Sequence, residues 1–123
     1  MIFRGYRPVV GPFELECRMK YLCLAYGDPE GWHALPNNQQ DSLLARDELL
    51  RHRGDFVASV QAATTVRTPN GNVTTTDGPF AQPELPLAGF SLIEAKDLNE
   101  VIELVSKTPC ACAGGAVEVW PLA

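Results

Sequence analysis

A chain of 123 residues, 46% hydrophobic and 20% charged, is the material of one ordinary globular domain, long enough to bury a single modest core without disulfide staples. Its net charge of −5 includes no basic run longer than the interrupted Arg51-His52-Arg53. That argues against nucleic acid as the main partner, because neutralising phosphates needs a clustered cationic face. The longest apolar runs, around Tyr21 to Tyr26 and Leu98 to Val105, fall far short of the about 20 residues that cross a bilayer, so a soluble chain is expected.

Residues 1–18, MIFRGYRPVVGPFELECR, contain neither the apolar core nor the small-residue cleavage site of a secretory signal. They carry three bases (Arg4, Arg7, Arg18) against two acids (Glu14, Glu16), and Pro8, Gly11 and Pro12 discourage regular structure. Two readings stand: an extension upstream of a biological start at Met19, or an N-terminal arm that crosses to another subunit. The four cysteines, Cys17, Cys23, Cys110 and Cys112, read as cytosolic thiols more readily than as two disulfides, since nothing marks secretion and Cys23 falls inside a core-strand pattern.

Lys20 to Gly27, KYLCLAYG, is a near-continuous apolar run ended by glycine, the pattern of a covered central strand. Asp28 to Pro36 reads as a turn-rich connection. Asn37, with Gln40 three residues on, forms a capping box for a helix running to Gly54 at its C-terminal cap, with Leu43 and Leu50 on one face and Leu44 and Ala45 beside them. Phe56 to Val60 is a short second strand.

Thr64 to Thr76, TTVRTPNGNVTTT, is rich in β-branched residues on both sides of Asn70-Gly71. It predicts a hairpin closed by a type I′ turn, whose two central positions both need positive φ. After the proline-containing link, Leu87 to Ala95 is another interior strand. Asp97 with Glu100 starts a second helix whose stripe is Leu98, Val101, Ile102 and Val105, and which stops before Pro109. CACAGGA, residues 110–116, turns the chain, and Val117 to Trp120 closes it as a strand.

Removing the hairpin leaves the order βαββαβ, a ferredoxin-like α+β plan. Its helices cover one face of the sheet, so a partner subunit is the economical cover for the other, and a homodimer is expected.

The residues that carry a family likeness are MKYLCLAYGD at 19–28, TTVR at 64–67, VTTTDGPFAQPELPLAGFSLIEAKDLNEVIEL at 73–104 and GGAVEVWPL at 114–122. They resemble the YCII-related proteins of the DGPF-domain type, over residues 19–123, leaving residues 1–18 outside. The resemblance implies a ferredoxin-like subunit that pairs into a dimeric α/β barrel, and relatives that are often associated with extracytoplasmic-function sigma factors. It also implies that a few members of the wider family are small-molecule enzymes, including one of dehydrochlorinase type, with a His and Asp pair proposed as catalytic. That pair does not transfer here. The first helix presents Ser42, Leu43, Leu44, Arg46 and Asp47 where the histidine would lie, and its only histidine is the terminal His52; the acid can be matched at most to Asp77.

The block Asp77-Gly78-Pro79-Phe80 has a structural reading, in which Asp bonds local backbone, Gly supplies unusual dihedrals and Pro fixes φ. In its functional reading the same rigid turn holds Asp77 at a cleft mouth as a general base, with Gly78, Pro79 and Phe80 lining it. Trp32 and His33 lie in the loop after the first strand, where an imidazole beside an aromatic suits acid–base chemistry, against the commoner outcome of an exposed loop histidine. Tyr26, Glu94 and Glu118 lie on strands, and whichever of them register turns into the cleft would be a polar group in an apolar setting, while Phe80, Phe90, Tyr26 and Trp32 are expected as its walls. Cys110-Ala111-Cys112 lacks the partner ligands a zinc site needs, and no phosphate-loop, nucleophile-elbow or dinucleotide fingerprint occurs, so no metal and no cofactor are expected. Two functions follow. One is a cytoplasmic homodimer binding a small, partly apolar molecule between its sheets, as a sensor or as a cofactor-free enzyme of proton transfer, elimination or isomerisation with Asp77 as base. The other is a non-catalytic accessory protein acting through a regulator such as a sigma factor.

Overall fold

The computed structural model describes residues 18–123. Expectations placed on the N-terminal extension and on Cys17 lie outside the described residues. Strand β1 (Met19–Tyr26) is followed by helices α1 (Pro29–His33) and α2 (Asn37–His52), then strand β2 (Phe56–Ser59). The hairpin strands β3 (Thr64–Arg67) and β4 (Thr74–Asp77) come next, then β5 (Leu87–Ala95), α3 (Leu98–Val105), α4 (Pro109–Cys112) and β6 (Ala116–Pro121).

The main sheet has the order β2-β5-β1-β6 and every pairing in it is antiparallel. With the hairpin set aside, that is the ferredoxin-like arrangement of a βαββαβ chain, and the hairpin forms its own two-stranded sheet. Side chains alternate across the strands. Tyr21, Cys23, Ser91, Ile93 and Ala95 are buried on the helix face, where they meet Leu50 of α2 and Val101 and Val105 of α3. On the other face the register aligns Leu22 with Leu92 and Trp120, Leu24 with Phe90, and Phe56 with Leu92. Among these Phe56 is 56% exposed and Trp120 52% exposed, so an apolar surface is open.

Local chemistry accounts for the ends of most elements. Gly54 follows α2 with φ +99°, and its N–H donates to Arg51 O at 2.9 Å, the glycine-terminated end expected there. Asp97 caps α3 by accepting from Glu100 N–H at 2.9 Å, while the Glu100 carboxylate accepts from Lys96 N–H at 2.9 Å, a box shifted by one residue. Within the α3 stripe Val101 and Val105 are buried, whereas Leu98 and Ile102 flank them half-exposed.

Four expectations are corrected. The segment after β1 is helical over Pro29–His33, because proline suits the first helical position and Glu30 complements the helix dipole. Asn37 is the first residue of α2 and caps nothing; Pro36 precedes it, and Gln40 Nε2 donates instead to Trp32 O at 2.9 Å, tying α2 to α1. The hairpin is not a two-residue one. Asn70 (φ 52°) and Gly71 (φ 81°) do take the positive dihedrals, and Asn72 N–H closes the turn on Pro69 O at 2.9 Å, but strand pairing begins only at Arg67 with Thr74. The two flanking residues on the N-terminal side are Thr68 and Pro69, and proline has no N–H to give the ladder. Lastly, residues 109–112 form the short α4 before the chain turns.

Candidate functional site: a cleft between the helices and the sheet

A cavity of about 590 Å³ opens between the helix face of the sheet and α1, α2 and α4. Its floor is made largely of small residues: Cys23 and Ala25 of β1 with Gly27 just after it, Gly89 and Ser91 of β5, and Ser59 of β2 beside Val57. Leu44, Asp47, Leu50 and Arg51 of α2 lie above it, Trp32 and His33 of α1 close one side, and Pro109, Cys110 and Ala113 close another. The void exists because glycine, alanine and serine stand where a strand facing a helix would ordinarily carry Val, Ile or Leu. It also explains α2, of which Leu50 alone is buried while Leu44 remains 49% exposed: the helix spans the cleft and does not pack flat on the sheet.

Backbone crowding permits only glycine at Gly89 on the cleft floor, where a Cβ would stand 2.5 Å from Ala58 O, and beside the cleft at Gly31 and Gly115, where one would stand 2.2 Å from Ala113 O and 2.1 Å from Tyr26 O. Around Asp28 the fit is similarly close, with its Oδ2 2.9 Å from where a Gly31 Cβ would be and 2.6 Å from where a Gly114 Cβ would be. These contacts draw α1 and the α4–β6 turn against the end of β1.

Four charged or titratable residues, Asp28, His33, Asp47 and Arg51, and two thiols, Cys23 and Cys110, line the cleft. Arg51 is committed: Nη1 pairs with Glu48, and Nη2 reaches Val57 O at 3.5 Å. Asp47 makes no hydrogen bond or ion pair among the described residues. Burial pushes its carboxyl above the usual carboxylate value, with the Arg51 charge opposing and Glu48 reinforcing. Burial, together with the charge of Asp47, pushes the Cys110 thiol up as well. Cys23 is raised by burial, partly offset by a hydrogen bond with Ser91. Both thiols are thus held in the protonated form, which suits packing and not nucleophilic attack. Among the described residues no group of three or more His, Cys, Asp or Glu side chains is placed to hold a metal ion.

Of the residues singled out by sequence, the structure brings Trp32 and His33 into this cleft, and Phe90 to its border, with its ring against Phe56 at 5.6 Å on the opposite face of the sheet. Tyr26, in register with Ala116, lies at the end of β1 outside the lining. Glu94 lines a second, shallower groove of about 330 Å³ with Lys20, Arg53, Asp55 and Phe56, where Arg53 pairs with Asp55 and donates to Glu94 O at 3.2 Å. Glu118 accepts from Trp120 Nε1 at 2.8 Å on the open face. Asp77 is exposed at the end of β4. Gly78 takes φ +101° with its N–H on Ala63 O at 2.9 Å and its carbonyl on Thr65 Oγ1 at 2.7 Å, a closed backbone turn at the hairpin's base. Pro79 follows it exposed, and Phe80, 74% exposed, stacks under the Arg67 guanidinium at 5.5 Å.

Sequence reasoning missed Asp47 and Cys110 as lining residues. The available signal was an acid inside the apolar stripe of α2, at i+4 from Leu43 and three before Leu50, together with a run of small residues at the ends of three strands.

Residues 19–123 match the family model described as the YCII-related domain. No curated protein matches the chain.

Proposed function

The chain belongs to the YCII-related family, and from the geometry of its cleft we propose that it binds a small, partly apolar molecule between the helices and the sheet. One observation carries this: a cavity of about 590 Å³, in the size range of ligand pockets, that is largely apolar yet contains a half-buried carboxyl with no hydrogen bond or ion pair among the described residues. Asp47 and His33 are the groups in position to move a proton there, which supports a proton-transfer, elimination or isomerisation chemistry. Asp77 lies outside the lining and enters this proposal as part of the hairpin. The test uses the two tryptophans, since Trp32 lines the cleft and Trp120 lies on the opposite sheet face. In a Trp120→Phe variant, fluorescence reports Trp32 alone. A fragment library should yield compounds that shift this emission and whose effect is weakened in Leu44→Phe, which crowds the cleft without adding an indole. Compounds that act only on the hairpin or on the Trp120 face would overturn the proposal.

We further propose a homodimer in the cytoplasm. The open sheet face, with Leu22, Leu24, Phe56, Leu92 and Trp120, supports the first part, since such a surface favours a partner. Three unpaired thiols among the described residues support a reducing compartment. No described helix is long and apolar enough to cross a membrane. Sedimentation velocity should give a dimer at micromolar concentration that Leu92→Lys splits. A monomeric parent chain refutes it.

A further inference from the structure

The charges around the cleft are unevenly committed, and that asymmetry specifies a ligand. The cation, Arg51, is occupied by Glu48 and by the Val57 carbonyl. Asp28 lies at the cleft's edge, its Oδ2 2.6 Å from where a Gly114 Cβ would be, and like Asp47 its side chain meets no donor among the described residues. Asp47 is the acid on α2, in the same lining as Leu44, Leu50, Val57 and Trp32; it is half-buried, and among the described residues it meets no donor. A carboxylate in apolar surroundings is compensated best by a cation that brings its own donors, and an ammonium group can also rest on an indole face. An anionic ligand would face Asp47 with the only guanidinium in the lining already paired, and the chain as a whole carries −5.

We infer that the cleft takes a small organic amine with an aromatic or branched apolar body, its ammonium on Asp47 and its body against Trp32, Leu44 and Val57. The inference rests on the small-molecule role proposed above and adds the ligand's charge. The apolar body follows from the remaining lining, in which Val105, Pro109 and Ala113 complete a dry wall around the small-residue floor. Burial of the Asp47 carboxyl adds support, because a neighbouring ammonium would return that group to its charged form on binding.

Three probes of one shape and different charge make the test: tryptamine, tryptophol and indole-3-acetate, titrated into the isotopically labelled full chain and followed through amide shifts at Trp32, Asp47 and Val57. Tryptamine should bind at least about tenfold tighter than tryptophol, the weight of one charge-assisted hydrogen bond, and indole-3-acetate should be the weakest. Asp47→Asn should bring tryptamine down to the tryptophol level while leaving tryptophol unchanged, with the amide spectrum reporting that the variant is folded. Asp77→Asn should change none of the three. Equal binding of tryptophol and tryptamine in the cleft, or an amine preference that survives Asp47→Asn, overturns the inference and leaves the small-molecule role standing. If none of the probes moves the cleft amides, at concentrations where a fragment from the library does, the amine inference is again refuted. If nothing at all binds there, both fall.

Discussion

Replacing Gly89 by alanine strikes the cleft at its floor. The added Cβ would lie 2.5 Å from Ala58 O, 0.9 Å inside the 3.4 Å at which ordinary contact begins, and 3.4 Å from Ser59 Cα. Both neighbours belong to the backbone of β2, so no side chain can swing aside and the strand itself must move. Overpacking of this kind costs about 1–3 kcal/mol. Displacing β2 also weakens the pairing at Ser59 with Gly89 and the bond from Val60 N–H to Ala88 O, now 3.0 Å, for about 1 kcal/mol more. A loss of about 2–4 kcal/mol is therefore expected, a large share of the about 5–15 kcal/mol that holds a domain together. Equilibrium urea unfolding measures it, with Gly54→Ala as the comparison, because that glycine has positive φ but open space around it. Gly54→Ala should cost about 1 kcal/mol from backbone strain alone. A Gly89→Ala midpoint within error of the parent, with the slope unchanged, would refute the crowding argument, since it would mean that β2 accommodates the methyl freely.

Asp47→Asn should stabilise the protein at neutral pH and lose that advantage in acid. The folded carboxyl holds its proton more tightly than the unfolded one, so parent stability falls as pH rises from the unfolded value of about 3.9 through the raised folded value, and the isosteric amide lacks this fall. Unfolding curves of both chains from pH 3.5 to 7.5 check it; a difference that shrinks as pH rises is the opposite sign. Asp97→Ala removes the cap on Glu100 N–H and should cost about 0.5–2 kcal/mol by thermal unfolding, while Asp41→Ala, on the exposed side of α2, should cost little. Among Cys23, Cys110 and Cys112, alkylation by iodoacetamide at pH 8 should label Cys112 first, because burial raises the other two thiols; peptide mapping by mass reads the order.

Much of the fold was legible because it is written locally. The alternation in Leu87 to Ala95 yields a strand with the same ends, since each residue's facing follows from its neighbours. Gly54, Asn70, Gly71 and Gly78 adopt the positive dihedrals their turn chemistry demands. The Asp97 cap forms because donor and acceptor lie three residues apart. The order of the strands and the two long helices followed from such signals, while the family rested on the resemblance of whole sequence blocks such as residues 73–104. The failures were local too where a rival interaction won: Gln40 reaches the Trp32 carbonyl of a helix that sequence reading treated as a turn, so its box with Asn37 never forms.

The site was not legible in that way. Periodicity states which side of α2 is apolar, but it does not state what stands opposite, and the small residues of β1, β2 and β5 become a cavity only when α2 is suspended above them. Asp47 reads as a polar interruption of a helix face until Cys110, Trp32 and Val57 arrive from distant parts of the chain to line the same cleft and leave it half-buried. Asp77, conspicuous in sequence beside Gly78 and Pro79, lies exposed at a turn whose geometry those neighbours already explain. The sequence by itself determined the strands, the two long helices, their order and the turn dihedrals, because those depend on residues within a few positions; the short helices α1 and α4 escaped it. Tertiary packing decided where the cleft opens and which carboxyl it desolvates, because burial depends on every element that crosses above a residue.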